Sequence, residues 1–209
     1  MASIASTTDK TEKLHAPSAE RNAADICALL HTNSPPSGEA LELASGTGQH
    51  IVALATAMPN LRWQPTEVDE SRLKSIAVYL DESELSNTRP PFALDATKAG
   101  WDKSVEAKDL IVLVNLLHLL SGIEANTLIS EAMKTLKSGG KLFLYGPFKR
   151  SGQLTSDGDI EFDANIRAND PDTGYKNDQD IITVAESAGL TFLQSVEMRA
   201  NNLALLFQK

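Results

Sequence analysis

The sequence predicts an α/β protein with a doubly wound sheet of seven strands, mostly parallel and closed by a C-terminal antiparallel hairpin. Three observations support this fold class. Residues 41–58 read as a short apolar strand, a turn with two glycines and an amphipathic helix. Residues 109–115 are apolar on both alternating faces, as in a central parallel strand that is covered on both sides. The final apolar stretches, 191–198 and 202–207, are joined by a short connection that indicates a hairpin.

Strand and helix patterns alternate along the chain in the order that such a sheet needs. A first helix is predicted over 19–31, and a turn rich in Pro and Ser ends it. Predicted strands lie at 41–44, 61–67, 92–95, 109–115, 141–145, 191–198 and 202–207. Predicted helices lie around 51–58, 73–80, 121–136 and 180–188.

Local signals refine the ends of these elements. Asp69 is expected to cap the helix after the second strand. Ser121 and Glu124 have the spacing of a capping box, and we expect Gly139 and Gly140 to end the helix that this box begins. The polar segment 149–177 interrupts the alternation, and we expect it to build the rim of a pocket.

Composition limits the domain count and the kind of partner. The 209 residues suffice for one well-buried domain, predicted over 15–209 after a flexible tail at 1–14. A net charge of −9 disfavours nucleic acid, whose binding depends on clustered Lys and Arg, and therefore favours a small-molecule partner. The single cysteine, Cys27, has no partner for an internal disulfide, and no apolar run is long enough for a membrane span. We therefore expect a cytoplasmic protein without a membrane partner.

The turn after the first strand has the chemistry of a nucleotide-binding loop. Gly46 and Gly48 allow unusual backbone conformations and let a ligand approach the main chain at the start of a helix. Ile51 occupies the place of the third glycine of a dinucleotide fingerprint, and no P-loop sequence is present. Glu42 precedes Gly46 by four residues, which resembles the loop of the class I S-adenosylmethionine-dependent methyltransferases, although Ala44 stands where those proteins usually have glycine. The remaining alternative is a strand-to-helix turn whose glycines serve packing.

Polar residues at the predicted strand ends should converge on one crevice, because ligands of open α/β sheets bind beyond the carboxyl ends of the strands. Glu67 is the candidate for a ribose diol, with Asp69 as its competitor, and Asp95 is either an acceptor for an adenine amine or a turn cap before Thr97. Glu42 is the candidate for the ammonium group of the cofactor. The expected cofactor-binding residues are Glu42, Ala44, Ser45, Gly46, Thr47, Gly48, Glu67, Asp95, Ala96 and Asn115.

A wider set of short blocks carries a more specific resemblance. The blocks are Ser18–Asn22, Ser45–His50, Trp63–Pro65, Tyr145–Phe148, Phe162–Asp163 with Asp170–Pro171, and Ala200–Leu203. In combination they are similar to the methyltransferase-like protein 26 family, and the similarity extends over residues 16–209. The resemblance implies the Rossmann-like class I methyltransferase fold and S-adenosylmethionine as the cofactor, but it supplies no substrate. The chain departs from the family pattern at Thr173 and Arg199, on the expected substrate side.

Few residues are candidates for the chemistry itself, because the sulfonium of the cofactor is already activated and catalysis is mainly positioning. His118 and Tyr145 follow the fourth and fifth strands and are the predicted catalytic residues, although His118 is otherwise a buried core histidine. Weaker candidates for substrate contact come from the leading helix, the start of the second helix and the final hairpin. They are Glu20, Arg21, Asn22, His50 and Asn201.

The sequence therefore predicts a methyltransferase that acts on a small-molecule acceptor through an O, N or S nucleophile. A non-catalytic S-adenosylmethionine-binding protein of the same fold remains an alternative, since no obligatory base is identifiable. A nicotinamide-dependent oxidoreductase is disfavoured by Ile51, which replaces the third glycine of its fingerprint. No His or Cys cluster has metal-ligand spacing, so no metal is expected. The leading helix or the final hairpin could support a homodimer.

Overall fold

The computed structural model describes residues 12–209. The predicted tail, 1–14, lies largely outside this range. Its described part is attached to the domain, because the backbone N–H of Leu14 donates a 2.9 Å hydrogen bond to Ser75 Oγ and the Lys74 ammonium lies 3.5 Å from Glu12.

Within residues 12–209, helices and strands alternate as the sequence predicts. The helices are α1 (Pro17–Asn33), α2 (Gln49–Ala57), α3 (Glu70–Ser83), α4 (Gly122–Thr135), α5 (Asp157–Asn169) and α6 (Asp178–Ser187). The strands are β1 (Gly38–Leu43), β2 (Leu61–Glu67), β3 (Phe92–Ala93), β4 (Lys108–Val114), β5 (Leu136–Lys149), β6 (Lys176–Asn177), β7 (Thr191–Glu197) and β8 (Asn202–Gln208).

The described strands form one sheet in the order β3-β2-β1-β4-β5-β8-β7. Strands β1 to β5 all run parallel to one another, whereas β8 runs antiparallel to both β5 and β7. This arrangement confirms the predicted fold class. The two-residue strand β6 pairs with β5 outside the main path and adds an eighth strand to the seven predicted.

Alternating side chains of β4 separate the two layers of the core. Ile111 and Leu113 pack in a cluster with α4 and α6, whereas Leu110, Val112 and Val114 pack in a second cluster with α1, α2 and α3. All five side chains are buried. The prediction of a central strand covered on both faces is therefore confirmed.

The fifth strand begins earlier than predicted, and the expected helix end at Gly139 and Gly140 is wrong. Helix α4 ends at Thr135, and Leu136 already pairs with Lys108 across an irregular register. A Cβ atom at Gly140 would lie 2.9 Å from the Lys137 carbonyl oxygen, which explains why glycine is needed in this bent part of the strand. The glycines therefore serve the strand.

Helix α5 lies in the segment 149–177, where no helix was predicted. Its buried side chains are two carboxylates, Asp159 and Asp163, instead of an apolar stripe. The periodicity that reveals a packed helix is therefore absent, because α5 is held by polar contacts. Ser156 caps the helix by accepting a hydrogen bond from the Asp159 N–H.

Both predicted helix caps are confirmed. Asp69 accepts a 3.0 Å hydrogen bond from the backbone N–H of Arg72 at the start of α3. Ser121 Oγ accepts from the Glu124 N–H, and the Glu124 carboxylate accepts in return from the Ser121 N–H, which completes the capping box of α4. Within residues 12–209, no helix is long and apolar enough to span a membrane.

The capping box yields a prediction for stability. Ser121→Ala should lower the free energy of unfolding by about 1 kcal/mol, because it leaves a helix N–H without its acceptor. Urea unfolding followed by circular dichroism measures this change. Thr183→Ala is the matched control, since that hydroxyl only bonds the carbonyl of its own helix at an exposed position, and it should change the free energy by less than about 0.5 kcal/mol. Equal effects of the two substitutions would contradict the assigned role of the cap.

Candidate functional site

The carboxyl ends of β1, β2, β4 and β5 meet at one edge of the sheet, where the strand order reverses between β1 and β4. Backbone hydrogen bonds join these ends. Ser45 N–H donates to the Thr66 carbonyl at 2.7 Å, and Asn115 N–H donates to the Tyr145 carbonyl at 2.8 Å. The polar residues predicted at the strand ends are therefore brought into one region, as expected for an open α/β sheet.

The turn between β1 and α2 leaves part of its backbone uncovered. Ala44, Gly46 and Gly48 all have positive φ values, of 50°, 58° and 98°. A Cβ atom at Gly48 would lie 2.9 Å from Ile76 Cα, so this glycine allows α3 to pack closely. A Cβ atom at Gly46 would meet no atom within 4 Å, so the backbone there faces open space. The two glycines thus have different tasks, and Gly46 is the one beside a possible ligand.

The neighbouring turn residues are held by hydrogen bonds within the fold. Ser45 Oγ lies 3.3 Å from the Thr66 N–H, and Thr47 Oγ1 donates to Gln49 Oε1 at 2.9 Å. The Thr47 carbonyl accepts from Ser75 Oγ. These contacts fix the course of the turn, so its free groups are presented in a set geometry.

Glu67 ends β2 beside this turn and is almost fully buried. Its Oε2 accepts a 2.9 Å hydrogen bond from the Gly46 N–H, and its Oε1 accepts a 2.8 Å bond from the Val68 N–H. The guanidinium of Arg72 lies 3.8 Å away. The following side chain, Val68, is 60% exposed. A carboxylate and an uncovered apolar side chain therefore stand next to the open backbone of the turn.

Glu42 is a buried carboxyl group with an unpartnered atom. The residue is 1% exposed, and its Oε2 has no hydrogen-bond partner among the described residues. Burial raises the pKa of Glu42 from 4.5 to about 8; a hydrogen bond with Ser45 lowers this pKa, and the charge of Glu67 raises it. An unpaired buried carboxyl group is costly. Its position is therefore suited to a cationic or hydrogen-bond-donating ligand.

Asp95 and Ala96 follow β3 and are engaged in local structure. Asp95 Oδ1 accepts from the N–H of Thr97 at 2.9 Å and from its hydroxyl at 2.5 Å, which is the turn cap considered as an alternative. Asp95 Oδ2 lies 4.0 Å from the Lys98 ammonium, and the Asp95 side chain is 42% exposed. The Ala96 carbonyl accepts from Trp101 Nε1.

A cavity of about 700 Å³ opens beyond the ends of β4 and β5. Helix α1, the segment after β4, helix α5 and the β7–β8 hairpin surround it. Its lining residues are Ser18, Arg21, Asn22, Asn115, His118, Tyr145, Pro147, Gly158, Phe162, Tyr175, Arg199, Ala200 and Asn202. Asn115, at the end of β4, links this cavity to the strand ends that carry Glu42 and Glu67.

His118 lies in the wall of the cavity and is 7% exposed. Its ring packs against Phe162 and Tyr175, with ring centroids 5.9 Å and 6.3 Å away. Burial, followed by the positive charge of Lys176, lowers the pKa of His118 from 6.5 to about 4. Its Nδ1 is buried without a partner among the described residues. At neutral pH, His118 is therefore an uncharged imidazole whose Nδ1 is buried and unpartnered.

Tyr145 is connected to α2 through Asn22. Burial raises the pKa of Tyr145, and hydrogen bonds with Asn22 and Asn202 oppose that rise. Asn22 Oδ1 lies 2.7 Å from Nε2 of His50, whose own pKa burial lowers to about 4. His50 thus stands behind Asn22 and does not line the cavity. A chain of side chains runs from the start of α2 to the cavity wall.

The weaker candidates divide into two groups. Arg21 and Asn22 line the cavity, whereas Glu20 is exposed and lies 3.3 Å from His15. Asn201 does not line it but donates to Ser156 Oγ and Asp159 Oδ2, which ties the hairpin to the start of α5. Its backbone is left-handed, as expected for a tight hairpin turn.

Sequence reasoning assigned no role to several residues of the cavity wall. Phe162 and Asn202 lie within blocks of the family resemblance, so a signal for them existed. Tyr175 lacks such a signal, because only the fold of the segment 149–177 brings it beside His118. Its hydroxyl donates to Asp159 Oδ1 at 3.1 Å.

Comparison with known proteins places the chain in a family. Residues 13–209 match the family described as "Protein of unknown function (DUF938)". The chain belongs to the DUF938 family. This family description carries no activity, so the function of this DUF938 protein is argued from its site.

Solved structures with a similar fold are methyltransferases. An O-methyltransferase family protein from Burkholderia thailandensis has a TM-score of 0.76 at 17% identity over 90% of this chain and 56% of its own. Human N-acetylserotonin methyltransferase in complex with SAM has a TM-score of 0.72 at 16% identity, over 90% of this chain and 51% of its own. An O-methyltransferase family 2 protein from Planctomyces limnophilus, in complex with apigenin, has a TM-score of 0.73 at 17% identity, over 95% of this chain and 63% of its own. The DUF938 protein has their fold and spans little more than half of their length.

The raised pKa of Glu42 yields a pH-dependent prediction. The unfolded state loses the Glu42 proton near pH 4.5 and the folded state only near pH 8. Stability from this group is therefore fully present below pH 4.5 and is lost as the pH rises through 8. Glu42→Gln should remove that loss. Between pH 5 and pH 8, its free energy of unfolding should gain several kcal/mol relative to that of the wild type, at about 1.4 kcal/mol per pKa unit.

Urea unfolding at several pH values between 5 and 8, without ligand, measures the difference. The exposed Glu186→Gln is the control for the loss of one carboxyl group. A pH-independent difference between Glu42→Gln and wild type would mean that Glu42 ionises normally in the folded protein.

Proposed function

We propose that this DUF938 protein is an S-adenosylmethionine-dependent methyltransferase that acts on a small-molecule acceptor. The observation that carries the proposal is the buried, unpartnered Glu42 Oε2 below the open backbone at Gly46. The finer resemblance to the methyltransferase-like protein 26 family belongs to the same proposal, as does a cytoplasmic location.

The residues present fit this cofactor at both of its ends. Glu42 provides an acceptor for the ammonium of the methionine part, which would satisfy its orphaned oxygen. Glu67 accepts from the backbone N–H groups of Val68 and, at 3.4 Å, Asp69 with Oε1 and from that of Gly46 with Oε2, so the remaining lone pair of Oε2 is available to the ribose diol. The exposed Val68 provides an apolar surface beside Glu67 for the adenine ring.

Asp95 has one oxygen engaged, because the N–H and the hydroxyl of Thr97 both donate to Oδ1. The other oxygen remains available to an adenine amine. We assign Asn115 to the junction of the two sites, because it lies at the end of β4 and lines the acceptor cavity.

The chemistry asks for positioning and for a place to put one proton. When bound, S-adenosylmethionine would supply an activated methyl group. The acceptor lone pair would take this methyl group, and the sulfur would leave as a neutral thioether. His118 is uncharged at neutral pH and lines the cavity, and its imidazole is assigned to accept the hydrogen of an acceptor hydroxyl. A pKa of about 4 makes it a weak base toward a free hydroxyl. The oxygen becomes strongly acidic as its bond to carbon forms, so His118 takes the proton late.

Tyr145, Asn22 and Asn202 surround the same cavity and are assigned to orienting the acceptor. Two of the fold neighbours support this assignment, because both are O-methyltransferase family proteins and one is in complex with apigenin, a small phenolic compound. An oxygen acceptor is therefore favoured over nitrogen or sulfur.

Calorimetric titration with S-adenosylhomocysteine tests the cofactor assignment. The wild-type protein should bind, and Glu67→Gln should weaken binding by about tenfold or more, because a charge-assisted hydrogen bond to the diol is worth 1.5–3 kcal/mol. Glu70→Gln is the matched control, since that neighbouring side chain is 88% exposed. No binding by the wild-type protein, or equal binding by Glu67→Gln, would refute the assignment.

The same titration reports on Glu42. Its pKa of about 8 keeps it protonated in the free protein at pH 7. An ammonium beside it favours the ionised form, so binding should release close to one proton, measured from the heats in buffers of different ionisation enthalpy. Glu42→Gln should abolish this release.

Replacement of His118 separates catalysis from binding. His118→Asn should lower methyl transfer by about 10²-fold or more while S-adenosylhomocysteine affinity stays unchanged, because the side chain serves the acceptor and not the cofactor. Transfer of a radioactive methyl group to acceptor mixtures measures this. His31→Asn, at an exposed position of α1, is the control. Unchanged methyl transfer by His118→Asn would contradict the role of His118 as the base. Cofactor binding by the wild-type protein without transfer to any acceptor would favour the non-catalytic alternative.

A further inference from the structure

We infer that the acceptor of this site is an organic anion, a small aromatic carboxylate whose charge is held by Arg21 at the rim of the cavity. This inference rests on the proposed function for the reaction, but the binding of the anion can be measured separately. It follows from the distribution of charge around the cavity.

The charged side chains that line the cavity are both cationic, in a protein whose net charge is −9. The lining contains two guanidinium groups, those of Arg21 and Arg199, and no aspartate or glutamate. The remaining polar lining consists of neutral amides, hydroxyl groups and His118, whose lowered pKa leaves it uncharged at neutral pH. Cationic groups in the lining, without a carboxylate among the lining residues, favour a ligand of opposite charge.

The two arginines differ in their availability. Arg199 Nε lies 3.0 Å from Asp25 Oδ2, so its charge already has a partner. Arg21 makes no hydrogen bond or ion pair with any of residues 12–209, and its side chain is exposed at the cavity. An unpaired guanidinium is the group that binds a carboxylate with two parallel hydrogen bonds. Arg21 is therefore the anion-binding residue.

The acidic residues next to the cavity have their oxygens engaged in hydrogen bonds. Asp159 accepts from Thr155, Ser156 and Tyr175. Asp163 accepts from Arg167 and from the backbone N–H of Tyr175. Neither carboxylate pairs with Arg21.

The opposite wall suits a flat apolar group. The rings of Phe162 and Tyr175 meet edge to face, with centroids 6.1 Å apart, and His118 packs against both. Phe162 remains 47% exposed, so part of its surface is free to contact a ligand ring. A carboxylate at Arg21 and a ring at Phe162 would carry a ring hydroxyl toward His118.

Binding of 4-hydroxycinnamate and of its uncharged amide tests the inference. Calorimetry in the presence of S-adenosylhomocysteine should give at least tenfold tighter binding of the acid than of the amide to the wild-type protein. Arg21→Gln should remove this preference by weakening the acid and leaving the amide unchanged. Arg62→Gln is the matched control, because that arginine is exposed near the amino end of β2 and does not line the cavity; it should keep the full preference.

Three results would overturn the inference: equal binding of acid and amide, a preference that survives in Arg21→Gln, or no binding of either probe at millimolar concentration. A separate titration with S-adenosylhomocysteine alone distinguishes this failure from failure of the proposed function. Cofactor binding without a preference for the acid would refute only the inference that the acceptor is an anion. A preference for the acid that depends on Arg21, without cofactor binding, would refute only the proposed methyltransferase function.

Discussion

The site depends on the hydrogen bond between the Gly46 N–H and the Glu67 carboxylate, which ties the turn after β1 to the end of β2. This bond orients two groups at once. It fixes the Glu67 carboxylate beside the turn, and it holds the N–H of Gly46, whose left-handed backbone faces open space. Close packing of Gly48 against α3 holds the same turn from below. The strand order then places this assembly beside the ends of β4 and β5.

Sequence patterns predicted the fold well where burial is apolar and regular. Strand β4 is covered on both faces, and its sequence is apolar at both sets of alternating positions. The caps at Asp69 and Ser121 were predictable because a cap depends on residues only three positions apart. Helix α5 was not, because Asp159 and Asp163 hold it through polar contacts with residues distant in sequence. A contact of that kind leaves no periodic signal in its own segment.

The candidate site divides in the same way. Residues at strand ends were predictable, since the strand supplies their position and the turn supplies their chemistry. The two tasks of Gly46 and Gly48 could not be separated from sequence, because the difference lies in the position of α3. Tyr175 reaches His118 only through the fold of a segment without a clear pattern. The unpaired state of Arg21 depends on where every acidic side chain lies, which is a property of the complete structure.

The unpartnered buried atoms argue that the region is built for a ligand. Five such side-chain atoms occur among residues 12–209, and those of Asp25 and Glu39 lie within 3.0 Å of an arginine nitrogen. Of the other three, Trp63 is a neutral donor in the core, whereas Glu42 and His118 lie at the ends of β1 and β4. An unmet buried polar group costs about 1–3 kcal/mol. A domain with only a structural role would gain stability from apolar side chains at both positions. In the proposed function, the cofactor and the acceptor would give these two polar side chains their partners.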